Sequence, residues 1–123
     1  MKNKKVGLLE AIEQLKQEGE KPFVELMQHG TMTVVYFAPK KTDAQTPHQK
    51  DVLYFIARGH GEFNRNGEMI EYKAGDVLFV PANMEHRFEN FSDDFATWVI
   101  FYGQCGGEKE SGVASQESGV DYE

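Results

Sequence analysis

Gly75-Asp76-Val77-Leu78-Phe79-Val80-Pro81-Ala82-Asn83-Met84-Glu85-His86-Arg87-Phe88-Glu89-Asn90 is the stretch that decides the fold. Val77 to Val80 is a short apolar run, Pro81 to Glu85 carries turn formers, and a second short stretch around Phe88 follows from His86. This reads as strand, turn, strand. The same punctuation extends outward on both sides. Stretches rich in Val, Phe, Tyr, Ile and Thr predict strands at about 23–29, 31–38, 51–58, 61–65, 68–72, 77–80, 86–91 and 95–102. Between them lie Gly30, the loop from Pro39 to Pro47, Gly59-His60-Gly61, Asn66-Gly67, Ala74-Gly75-Asp76 and Ser92-Asp93-Asp94. Asn66-Gly67 is the most specific of these signals, because a type I′ hairpin turn needs positive φ at both central residues. Gly59-His60-Gly61 also reads as a hairpin turn. Many short strands with close turns predict an all-β fold, an antiparallel sandwich or barrel.

One helix precedes the strands. Leu8, Ile12 and Leu15 recur at helical spacing within residues 7–18, and Gly19 and Pro22 end the pattern. The division expected is a helical extension at 1–22, a barrel at 23–103 and a flexible acidic, Gly- and Ser-containing tail at 104–123. With 123 residues, one core and one domain are expected. The net charge of −7 weighs against nucleic-acid and anionic-membrane partners. That charge is unevenly placed. Lys109 against Glu108, Glu110, Glu117, Asp121 and Glu123 gives the last 20 residues −4 and leaves −3 for the rest. A single cysteine, Cys105, excludes an internal disulfide framework and fits a reducing compartment. Glu10 and Glu13 break the apolar stretch after the basic Met1 to Lys5, so a cytoplasmic protein is expected.

Two motifs carry a resemblance to a known family. The opening stretch is similar to the second motif of the cupin superfamily: Gly, five residues, Pro, one residue, Gly, two residues, His, three residues, Asn. Gly75, Pro81, His86 and Asn90 fall in register, with Asn83 in place of the second glycine. Asn also tolerates left-handed backbone. The stretch from Thr46 to Gly61 resembles the first motif: His, one residue, His, three or four residues, Glu, six residues, Gly. Counting back from Gly59 puts Val52 at the carboxylate position, His48 at the second histidine and Thr46 at the first. The resemblance covers about residues 23–103. It implies a small single-domain cupin of bacterial type, a double-stranded β-helix barrel, often paired as a homodimer. The strand at 23–29 is a candidate contributor to a partner's sheet.

The resemblance implies a site with two of its four usual metal ligands, His48 and His86. Val52 binds no metal and Thr46 is a poor ligand for a divalent transition ion. Asp51 adjoins the missing carboxylate, but strand alternation turns it to the opposite face from 48, 50, 52 and 54. A bulge bringing it inward would give two histidines and one carboxylate, a set suited to iron, with manganese, nickel and zinc as other occupants. Otherwise Asp51 makes a structural hydrogen bond. Alternation places Tyr54 and Ile56 on the His48 face and Phe88 on the His86 face. These three are the candidate pocket walls, with Lys50 a cation near the mouth and Met84 and Glu85 at its edge. The other aromatic residues read as core. His29, His60, Asn90 and Cys105 receive no chemical role.

Three functional readings follow. The first is a small-molecule-binding cupin centred on His48 and His86, with metal weak or absent. The second is a metal-dependent oxygenase or isomerase. The third is a non-catalytic dimeric interaction module whose barrel is packed shut. Whether the chain is an enzyme stays open at the level of sequence.

Overall fold

A computed structural model describes residues 4–44 and 46–108. Helix α1 (Leu8–Lys16) precedes eight strands: β1 (Phe23–His29), β2 (Met32–Phe37), β3 (Asp51–Arg58), β4 (His60–Arg65), β5 (Glu68–Lys73), β6 (Val77–Val80), β7 (His86–Glu89) and β8 (Ala96–Tyr102). All pairings are antiparallel. They form a five-stranded sheet ordered β1-β2-β8-β3-β6 and a three-stranded sheet ordered β5-β4-β7. The helix and every strand expected from the sequence are present, with ends shifted by two residues at most.

Local chemistry explains those ends. Glu10 accepts the Gly7 N–H at 3.1 Å, satisfying one of the donors a helix start leaves open. Asn66 and Gly67 adopt φ of 54° and 96°, as a type I′ turn requires, and the Asn64 side chain accepts the Gly67 N–H at 2.9 Å. Asn83 is also left-handed, at φ 68°, so asparagine does what glycine would do there. Strand β7 stops short of residue 91 because Asn90 turns left-handed at φ 50°. Its amide donates to Glu62 at 2.6 Å, which is a structural role.

One turn differs from expectation. Gly59-His60-Gly61 does not close a hairpin, because β3 and β4 lie in different sheets. Gly59, at φ +81°, is instead the corner where the chain crosses between sheets. A Cβ there would lie 2.5 Å from Ser92 Oγ and 2.7 Å from Phe95 Cα. A hairpin and a corner demand the same glycine, so the residues alone do not separate them.

The two sheets enclose an apolar core. Val52, Tyr54, Ile56, Phe63, Tyr72, Val80, Phe88, Phe95 and Val99 form one buried cluster, each no more than 4% exposed. A second cluster lies on the outer face of the larger sheet. There Ala11 of α1 packs with Val24, Tyr36 and Ala96, flanked by Leu8, Ile12 and Leu15. No helix among the described residues is long and apolar enough to cross a membrane.

Candidate functional site at the barrel mouth

Strand alternation positions the site. On β3, Val52, Tyr54 and Ile56 face inward while Phe55 faces out; on β7, His86 and Phe88 are buried and Arg87 is exposed. His48 comes from the loop before β3, and its carbonyl accepts the Asn83 N–H at 2.7 Å. That bond joins the segments that carry the two motifs. The result is an imidazole pair, His48 and His86, with ring centroids 5.0 Å apart. Phe101 packs edge-on against His48 at 4.9 Å.

The hydrogen bonds fix the His86 tautomer. Nδ1 lies 2.9 Å from the Met84 carbonyl, which can only accept, so Nδ1 carries a proton. Nε2 lies 2.9 Å from the Tyr54 hydroxyl, so in the neutral ring it accepts the phenolic proton. Burial pushes the His48 pKa down to about 4; repulsion from His86 adds to this, and the Asp43 charge opposes it. Burial lowers His86 as well, against its bond to Met84 and the Asp43 charge. Both imidazoles are therefore neutral at pH 7.

Both groups ionise less readily folded than unfolded, so their contribution is complete above pH 6.5 and is lost as pH falls toward 4. Allowing for solvent screening of the part-exposed His48 ring, the loss should be about 1–2 kcal/mol. Urea unfolding at pH 7, 5.5 and 4 measures it. His48→Gln should flatten the decline, and an unchanged slope in that variant would refute the assignment.

Asp43 is the residue that sequence reasoning missed. It comes from the loop after β2, is 5% exposed, and accepts the Phe88 N–H at 2.9 Å. Its charge acts on His48, His86 and Tyr72. No periodicity marks it, because it lies in an irregular loop. Tyr72 is 4% exposed, and its hydroxyl has no hydrogen-bond partner among the described residues.

The other candidates separate. Tyr54, Ile56 and Phe88 all belong to the core, at no more than 1% exposed, but Tyr54 also touches His86 and packs on Phe88 at 4.9 Å. Lys50 donates to the Thr31 carbonyl at 2.9 Å, at the β1–β2 turn. Asp51 is not drawn inward. Its two oxygens accept the backbone N–H groups of Ala82 and Glu108, each at 2.9 Å. Gly106 N–H also bonds the Gln49 carbonyl, so residues 106–108 run against the start of β3; the tail from 109 lies outside the described residues. Cys105 is exposed.

The donor set does not fit a resident transition metal. His86 has both ring nitrogens in hydrogen bonds, Asp51 is taken up by backbone amides, and Val52 offers no donor atom. Among the described residues, no three His, Cys, Asp or Glu side chains converge as a metal site. What the mouth does offer is a polar groove of about 350 Å³. Thr46, Pro47, Asn64, Gly67, Glu85, His86 and Arg87 line it.

Comparison with known proteins places this architecture. An uncharacterised protein of Streptomyces coelicolor is 27% identical over 95 residues, covering 76% of this chain and 90% of the relative. The plu4264 protein of Photorhabdus luminescens superposes with a TM-score of 0.59 at 18% identity, over 67% of this chain and 74% of its own. The DMSP lyase DddQ of Ruegeria pomeroyi superposes with a TM-score of 0.57 at 21% identity, over 66% of this chain and 46% of its own. At these identities the structural likeness shows the fold alone. The family model for the cupin domain matches residues 33–102, more than half of the sequence and seven of its eight strands. This chain belongs to the cupin family.

Proposed function

We propose that this cupin binds a small polar molecule in the mouth groove and needs no resident metal to do so. The observation that carries this reading is that the groove ends on His86, a buried neutral imidazole backed by the Tyr54 hydroxyl. Arg87 and Glu85 supply one charge of each sign at the same opening, and Thr46 adds a hydroxyl. A ligand with a polar edge and a single charged group suits such a lining. His48 completes the inner polar wall beside His86, with Tyr54 behind. Lys50 has no part in this reading, and Ile56 and Phe88 belong to the core rather than to the groove. The setting we infer is cytoplasmic, in keeping with the single exposed Cys105.

Two measurements test this. Backbone NMR shifts should be recorded while panels of small carboxylic acids, polyols and nucleosides are added. The expected result is a perturbation at Thr46, Asn64, Glu85 and Arg87 that His86→Ala weakens at least tenfold. Perturbations confined to other surfaces would refute the site. Separately, protein incubated with iron, manganese, nickel or zinc and then desalted should retain well under one metal per chain. Stoichiometric metal that His86→Ala abolishes would instead establish the metalloenzyme reading.

A second reading is supported by the interior. Tyr54, Phe63, Tyr72, Phe88 and Phe95 fill the barrel, which is the packing expected of an interaction module. A homodimer belongs to both readings.

A further inference from the structure

A groove of about 650 Å³, larger than the one at the mouth, lies between helix α1 and the outer face of the five-stranded sheet. No residue lines both, and β3 separates them: His48 precedes that strand and Arg58 ends it. The wall of the outer groove is apolar, with Ile12 and Leu15 from α1, Pro22 from the connection, Tyr36 and Ala38 from the end of β2, and Ala96 from the start of β8. Its rim is not. Lys16, Lys21, Lys40 and Arg58 stand there against Glu20, Asp93 and Asp94, four cations to three carboxylates in a chain whose net charge is −7. Lys21 is held by Glu18 at 3.5 Å, whereas Lys16 and Lys40 form no ion pair among the described residues. The carbonyls of Gln14, Leu15 and Lys16, at the end of the helix, already accept the N–H groups of Gln17, Glu18 and Gly19.

The backbone aims Arg58 into this groove. Ile56 faces the barrel interior, so strict alternation would send Arg58 inward as well. A bulge between Ile56 and Arg58 breaks that alternation. Arg58 then pairs with Ala96 of the outer cluster, stays exposed, and donates a hydrogen bond to the hydroxyl of Tyr36, itself only 2% exposed. A guanidinium and a phenol thus converge in an otherwise apolar recess, the arrangement by which ligand pockets fix orientation.

We propose that the groove between α1 and the outer sheet is a second ligand site, which takes a small carboxylate with an apolar body, a short acyl chain or a single ring. The acid group sits on Arg58, whose planar fork matches a carboxylate through two parallel hydrogen bonds, with Lys40 beside it at the rim. Ile12, Leu15 and Ala38 cover the body and remove its apolar surface from water. This site stands independently of the one at the mouth.

Trp98 supplies the readout, being the chain's one tryptophan and packing on Tyr36 at 5.6 Å. Octanoate and phenylpropanoate, each compared with its neutral alcohol, should be titrated into the full chain while Trp98 fluorescence and backbone NMR shifts are followed. The expected result is saturable binding of at least one acid with a Kd below about 1 mM, shifts at Leu15, Ala38, Lys40 and Arg58, and an alcohol about tenfold weaker or more. Arg58→Gln should weaken the acid by about tenfold and leave the alcohol unchanged. Lys40→Gln provides an independent variant if the first folds poorly; circular dichroism checks both. An alcohol that binds as tightly as its acid overturns the proposal, as does an acid that binds both folded variants as tightly as the wild type. Shifts confined to Thr46, Asn64, Glu85 and Arg87 overturn it by placing the acid at the mouth. Absence of saturable binding by either acid overturns it too. If binding then appears in the full-length variant carrying Glu117→Gln, Asp121→Asn and Glu123→Gln, the groove's occupant is the chain's own acidic end.

Discussion

Phe88→Ala is expected to lower the unfolding free energy by about 3–5 kcal/mol, enough to take a large part of a small domain's stability. Phe88 is the hub of the barrel interior. Its ring lies 4.7 Å from Phe63, 4.8 Å from Phe95, 4.9 Å from Tyr54, 5.5 Å from Tyr72 and 6.3 Å from Phe37. These partners come from both sheets, so no single shift of one strand refills the space. The backbone bond from Phe88 to Asp43 survives the substitution, which isolates the packing loss. Urea unfolding followed by Trp98 fluorescence measures it. Benzene should restore part of the stability by entering the new apolar cavity. A loss below about 1 kcal/mol would mean that the interior is not packed as described.

Gly59→Ala should cost about 2–4 kcal/mol, because two penalties add at the sheet corner. The residue must hold φ +81°, and the new methyl group would meet Ser92 Oγ and the Phe95 backbone within 3 Å. The Phe95 backbone is itself held by its bond to Ser92, at 3.0 Å. Gly30→Ala is the matched control. Gly30 also has positive φ, at +59°, but nothing lies within 4 Å of its Cβ position. Its cost should stay near 1 kcal/mol. Equal losses in the two variants would show that crowding at the corner is not the cause.

The strands were legible because each is bounded by residues with a specific backbone demand. Asn66-Gly67 shows this best, where composition alone fixes both φ signs and the hairpin. Face assignments were legible for the same kind of reason. A period of two carried Tyr54 and Phe88 inward and turned Asp51 away from the histidines, toward the backbone amides of Ala82 and Glu108. The filled interior was less legible. Aromatic residues on inward positions can either line a cavity or fill it, and only their joint volumes decide which. Asp43 was not legible at all. A lone carboxylate in an irregular loop carries no period, and its meaning comes from a strand 45 residues later in the chain. The motif spacing found both histidines. The direction of the Tyr54–His86–Met84 hydrogen bonds needed coordinates.

The order of strands in the larger sheet also sets a timetable for the nascent chain. Strand β8 lies between β2 and β3, so the middle of that sheet is the last strand to leave the ribosome. Until Ala96–Tyr102 emerges, the β1–β2 hairpin and the β3–β6 pair have no direct backbone link. Closing them requires contacts between residues more than 60 positions apart, such as Val35 with Val99, and long loops of this kind slow folding. During that interval Tyr54, Phe63, Tyr72 and Phe88 have all been synthesised but have no closed barrel to enter. The cell must therefore tolerate an aromatic-rich chain whose barrel can close only after Ala96–Tyr102 has been made.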